Sequence, residues 1–185
     1  MRALSASLAL VLAVLTLAGC GDHSLILNVD ILSFLSASET SGHYGPIPGG
    51  VADSVTIVSR SLDLLPGVND ITNVSDVQVT AAAEFANATG SGEATARIYV
   101  SAAGTDPFTA DTTPIVLPVT LQPGVTDTVT VTVAGDTELA GLFLGDEAEL
   151  GIRIAFAAAP GAPLEGDFRL VTLRAVVTAR QDIVH

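Results

Sequence analysis

The sequence predicts an all-β fold: an antiparallel β-sandwich, immunoglobulin-like or jelly-roll, of about eight strands. Three observations predict it. Apolar and polar residues alternate with period 2 in run after run, as strands with one buried face require. Glycine and proline punctuate the chain between those runs. Past the N-terminal segment and the 36–53 loop, one stretch, 137–149, departs from the pattern.

Taken in order, Leu25, Leu27, Val29 and Ile31 share one face, with Asn28 and Asp30 on the other. Val55, Ile57 and the Leu62–Leu65 stretch form a second strand region. Val77, Val79, Ala81, Ala83 and Phe85 alternate with Gln78, Thr80 and Glu84. Ala94, Ala96, Ile98 and Val100 alternate with Thr95, Arg97, Tyr99 and Ser101. Ile115 to Leu121 contains Pro118, which donates no ladder hydrogen bond and so suits an edge strand or a bulge. Val129, Val131 and Val133 alternate with threonines, and Ile152, Ile154 and Phe156 with Arg153 and Ala155. In the last run, Phe168 to Thr178, Arg174 and Arg180 share the parity of Phe168 and Leu170, so that strand bulges or changes faces. Pro66-Gly67, Gly90-Ser91-Gly92, Pro123-Gly124 and Pro160-Gly161 mark turns. A PGVxD echo at 66 and 123 reads as a shared type II turn, with Pro at i+1 and Gly at i+2. The 137–149 stretch is a short helix or a strand-crossing connection, and Gly141 and Gly145 argue against a long helix.

The first twenty residues read differently. Arg2 supplies a positive n-region, and Ala3 to Ala18 is apolar and uncharged. Small residues precede Cys20, the single cysteine of the 185-residue chain. This is the layout of a cleaved secretory signal. A retained membrane span needs about 20 apolar residues, and this run is at the short limit. The ending Leu17-Ala18-Gly19-Cys20 resembles the lipobox of bacterial lipoproteins. The resemblance covers residues 1 to 20. It implies cleavage after residue 19, a diacylglyceryl group on the Cys20 thiol and acylation of the new amino group. Two or more chains give stable anchoring. In that family an Asp directly after the cysteine favours inner-membrane retention. Here Gly21 follows and Asp22 comes one place later, so the resemblance implies the outer membrane. The expected organisation is a signal at 1–19, a lipidated tether at 20–24 and one β-sandwich domain over 25–185.

Loss of 19 of the 185 residues leaves 166, enough for one domain with a substantial core. Loss of Arg2 takes the net charge from −13 to −14, with six arginines, no lysine and twenty acids. Such a chain is a poor partner for nucleic acid, whose binding rests on Lys and Arg at phosphates. The acids are dispersed and the aliphatics abundant, which argues against disorder. Without Trp, and with two Tyr and six Phe, the chain offers little stacking surface for sugars.

Two groups of residues carry chemistry in principle. The 36–53 stretch reads as a long glycine-rich loop holding Glu39, His43, Tyr44 and Asp53, a candidate binding loop. The bland reading is a surface loop with Tyr44 packed on the sandwich edge. The second group is acidic: Asp136, Glu138, Asp146, Glu147 and Glu149. Ca²⁺ takes several carboxylate and carbonyl oxygens, but no EF-hand or D-x-D-x-D spacing appears, and a solvated acidic rim accounts for the same residues. Asn73-Val74-Ser75 and Asn87-Ala88-Thr89 match glycosylation sequons, read as chance beside a bacterial lipobox. No G-x-S-x-G, H-E-x-x-H or phosphate-cradling glycine loop appears, and no catalytic residues are assigned.

The expected function is therefore a lipid-anchored envelope protein outside the cytoplasm, a non-catalytic binding or structural module, with the membrane and another envelope protein as partners. A carrier or chaperone for an apolar ligand is the alternative, and needs a cavity between the sheets. A hydrolase built on the 36–53 loop is the third reading.

Overall fold

The computed structural model describes residues 23–63, 71–109, 113–135, 137–145 and 147–181. The strands are β1 (His23–Asp30), β2 (Ser41–Ile47), β3 (Ala52–Leu62), β4 (Ile71–Thr89), β5 (Gly92–Ala102), β6 (Ile115–Leu121), β7 (Val125–Ala134), β8 (Ala148–Ala158) and β9 (Leu164–Gln181). A 3-10 turn (Ile31–Phe34) and helix α1 (Ala37–Thr40) join β1 to β2, and helix α2 (Thr137–Leu142) follows β7.

Two antiparallel sheets result. The first runs β1-β9-β4-β7, with β2 also on β9; the second runs β3-β8-β5-β6. The partners nest: β1 and β2 with β9, β3 with β8, β4 with β7, β5 with β6. One long antiparallel ribbon rolled on itself gives this order, so the sandwich is a jelly roll.

The edge beside β9 is one strand in two pieces. β1 pairs with residues 174–181 and β2 with residues 164–169, both antiparallel. Residues 31–40 leave the sheet between them. Opposite this excursion β9 carries its bulge: Thr172 faces Ala82 and Leu170 faces Ala83, leaving Val171 over. The extra residue shifts the buried parity from Leu164, Phe168 and Leu170 to Leu173, Ala175, Val177 and Ala179. That explains the parity of Arg174 and Arg180. Pro118 lies on edge strand β6, bonded through one side only, as its missing N–H requires.

The core fills the space between the sheets. Inward residues of β4 (Val77, Val79, Ala81, Ala83, Phe85) meet those of β5 and β8 (Ala94, Ala96, Ile98, Ile152, Ile154, Phe156). Small alanines opposite aromatics allow close packing. The cavity among Ile31, Leu62, Phe143 and Leu150 has a volume of only about 10 Å³.

The two ends differ. At one, short turns join β2 to β3, β4 to β5, β6 to β7 and β8 to β9; we call it the closed end. Its turns bond to each other: Gly50 N–H donates to Ala158 O (3.0 Å), Ala159 N–H to Ser91 O (2.8 Å) and Gly124 N–H to Asn87 O (2.8 Å). Pro123-Gly124 forms the expected turn, with Gly124 at φ 72° and Val125 N–H donating to Gln122 O at 3.3 Å. The other, open end carries the longer connections after β3, β5 and β7, together with the start of β1.

Candidate functional site

The 36–53 stretch is not a long loop. It holds α1, all of β2 and the start of β3. Gly42, Gly45 and Pro46 depress the strand propensity of β2, so the sequence pattern hid it. The strand forms because the first part of β9, residues 164–169, needs a partner.

Its four candidate residues do not converge. Glu39 turns back on its own helix: its carboxylate accepts the Ser36 N–H and hydroxyl, each at 2.7 Å, and Arg60 Nη1 at 3.2 Å. The Ser36 hydroxyl first, then the Ser36 N–H, and Arg60 beyond them hold its carboxyl below the ordinary value. Arg60 also donates to Phe34 O, so it ties the 31–40 excursion to β3 of the opposite sheet. Asp53 bonds the adjacent Ser54 N–H at 2.7 Å.

His43 and Tyr44, neighbours on β2, point to opposite faces. Tyr44 goes inward, deeper than an edge contact, and is 1% exposed. Its ring stacks on Phe156 of the other sheet at 4.4 Å between centroids, 19° between planes. Its hydroxyl donates to Asn87 Oδ1 at 3.1 Å, and Asn87 Nδ2 donates to Gly90 O at 2.9 Å. Burial, and secondarily the Asp167 charge, push the phenol up to about 12. Asn87 is thus buried with both side-chain groups bonded, which takes it out of use as a glycosylation acceptor.

His43 faces outward. Nδ1 lies 3.1 Å from Asp167 Oδ1 and Nε2 lies 3.4 Å from Glu165 Oε1. Beside it, Arg169 donates to Glu84 at 3.0 Å. With Ser41, the residues His43, Asp167, Glu84 and Arg169 line an open depression of about 480 Å³ on the outer face of the first sheet. Asp167, Glu165, Glu84 and Arg169 escaped sequence reasoning, because only the register of β2, β9 and β4 brings them to His43. The depression holds serine, histidine and aspartate, but not in a triad. Ser41 donates its hydroxyl to Ala37 O at 3.0 Å, and both His43 nitrogens face carboxylates. General-base activation of a serine needs a histidine nitrogen at that hydroxyl.

Of the acidic group, Asp136 and Asp146 lie outside the described residues, as do Leu17, Ala18, Gly19 and Cys20 of the lipobox, and the Glu138 side chain is likewise not described. Glu147 accepts the Ser61 hydroxyl at 3.0 Å, and Glu149 accepts the Gly104 N–H at 3.2 Å. Among the described residues no three potential metal ligands cluster, and no helix is long and apolar enough to cross a membrane.

At the open end an apolar groove of about 420 Å³ runs between edge strands β6 and β7 beside α2. Ile98, Val100, Ile115, Val131, Val133 and Leu139 line it.

No protein-family model and no curated protein matches the chain. Solved structures do. The structure of infectious bursal disease virus, Gx strain, matches with a TM-score of 0.50 and 12% identity over 85% of this chain and 33% of that one. The VP2 subviral particle of infectious bursal disease virus gives 0.42 and 14% over 86% and 33%. A Clostridium thermocellum endo-xylanase fragment carrying CBM22-1 and GH10 modules gives 0.32 and 8% over 89% and 30%. This chain therefore spans about a third of each. At 12% identity the first of these likenesses shows the two-sheet fold alone.

Proposed function

We propose that the protein is a lipid-anchored component of the bacterial cell envelope, held at the outer membrane through Cys20, and that its jelly roll is a non-catalytic binding or structural module with another envelope protein as partner. The observation that carries this reading is Leu17-Ala18-Gly19-Cys20 at the end of an uncharged apolar run. The start of β1 at His23, so soon after that cysteine, supports it, because an anchored domain needs only a short tether. The test is the intact mass and membrane fractionation of the native protein beside Cys20→Ser. The expected result is a diacylglyceryl adduct and membrane recovery, both lost in the variant. An unmodified thiol on an uncleaved chain would refute the anchor.

The β6–β7 groove favours a second reading, a carrier for an apolar ligand. Among the described residues the cavity between the sheets holds only about 10 Å³, so the ligand would lie in the groove. Saturable binding of a fluorescent fatty acid, abolished by Val133→Arg, is its signature. Equal binding by the variant would remove it.

A further inference from the structure

The outer face of the second sheet brings two arginines together. Arg97 of β5 and Arg153 of β8 are directly opposite in the antiparallel register. Like charges so placed repel. The chain carries twenty acids against seven arginines, so such a pair is not forced by composition. Arg60 and Arg169 each reach a carboxylate, at 3.2 and 3.0 Å. Among the described residues, neither Arg97 nor Arg153 does.

Arg153 is also held in place. The connection after β5 folds back over the sheet, and Phe108 and Pro107 settle on Gly151, where an added Cβ would come within 2.9 Å of both. The Phe108 ring meets Tyr99 edge-on at 5.4 Å, and the Arg153 guanidinium lies 4.3 Å from the Phe108 centroid. Arg153 Nε donates to Thr56 Oγ1 at 3.3 Å. That uses one of five guanidinium donors, and the remaining N–H groups have no partner among the described residues.

We propose that Arg97 and Arg153 form a binding site for an oxyanion, a carboxylate or phosphate group of a ligand. A guanidinium fork matches the geometry of either group, and a bound anion turns the cross-strand repulsion into attraction. Stacking on Phe108 fixes one fork beforehand, which lowers the ordering cost of binding. The site lies on the opposite sheet from His43 and does not depend on the anchor.

The test is NMR of the guanidinium Nε–Hε groups of the full-length protein in detergent micelles, titrated with inorganic phosphate at constant ionic strength. Saturating shifts are expected at Arg97 and Arg153, with Arg60 and Arg169 unmoved as internal controls. A parallel titration with succinate tells the two ligand chemistries apart, since the tighter response identifies the group. Arg97→Gln is expected to lose the saturable response and, without phosphate, to melt no lower than the native protein because the repulsion is relieved. Equal or non-saturating shifts at all four arginines, or a saturable response retained by Arg97→Gln, overturn the proposal.

Discussion

The closed and open ends of this sandwich are built on different principles. At the closed end backbone meets backbone: turns bond to one another, and Asn87 joins Tyr44 of β2 to the β4–β5 turn while its carbonyl takes the β6–β7 turn. At the open end the connections are longer, an apolar groove stands open beside α2, and Leu144 is 48% exposed. Interlocked backbone leaves no room for side-chain change, whereas a looser end tolerates it and can carry function.

Two glycines with similar positive φ sharpen the contrast. Gly90 at the closed end has φ +68°, and Gly104 at the open end has φ +74°. A Cβ on Gly90 would lie 2.4 Å from Pro163 O, whereas one on Gly104 would meet nothing within 4 Å. Gly90→Ala is expected to cost roughly 3 kcal/mol or more, the left-handed penalty plus a backbone clash, and to fold poorly. Chemical denaturation measures it.

Next in size is Tyr44→Phe, which leaves Asn87 Oδ1 buried without its donor, at a cost of about 1–3 kcal/mol. This variant also tests a pH dependence. The folded phenol titrates at about 12 against an ordinary 10.0. Its contribution is complete below pH 10 and is lost as pH rises through about 12, because only the unfolded state releases the proton in that window. The native protein should lose on the order of 2 kcal/mol there, and Tyr44→Phe should lack that alkaline loss. Equal alkaline slopes would mean Tyr44 is not sealed in.

Gly104→Ala should cost only about 1 kcal/mol, the conformational penalty alone. If it matches Gly90→Ala, backbone conformation alone sets the cost and the packing contrast between the ends falls. Smallest is Leu144→Ser, expected within about 0.5 kcal/mol of the native protein by thermal melting. A larger loss would place Leu144 in the core of the open end.

The contrast also explains what could be read in the sequence. Alternation along β4, β5, β7 and β8 located those strands and the faces they turn inward, because period 2 is local. Pro118 marked its edge, and the wrong parity of Arg174 announced the β9 bulge. β2 was missed because Gly42, Gly45 and Pro46 break the pattern, and only the vacant half of β9 makes the strand form. The candidate residues divided for the same reason. His43 and Tyr44 were picked out together, yet a strand sends neighbours to opposite faces, and the partners of His43 come from residues more than a hundred positions later. The Arg97–Arg153 pair is equally invisible in the sequence, since each arginine alone is an ordinary outward position.

The anchor proposed at Cys20 would hold the domain with its open end towards the membrane. Cys20 is three residues from His23, a reach of roughly 10 Å, and β1 begins at the open end. The direct test uses the protein recovered from native membranes, placed in vesicles doped with a paramagnetic headgroup lipid. Relaxation is read from labels at position 144 of the open end and position 51 of the closed end. Strong broadening at 144 and little at 51 is the predicted result. Equal broadening at both, or the reverse order, would contradict the account.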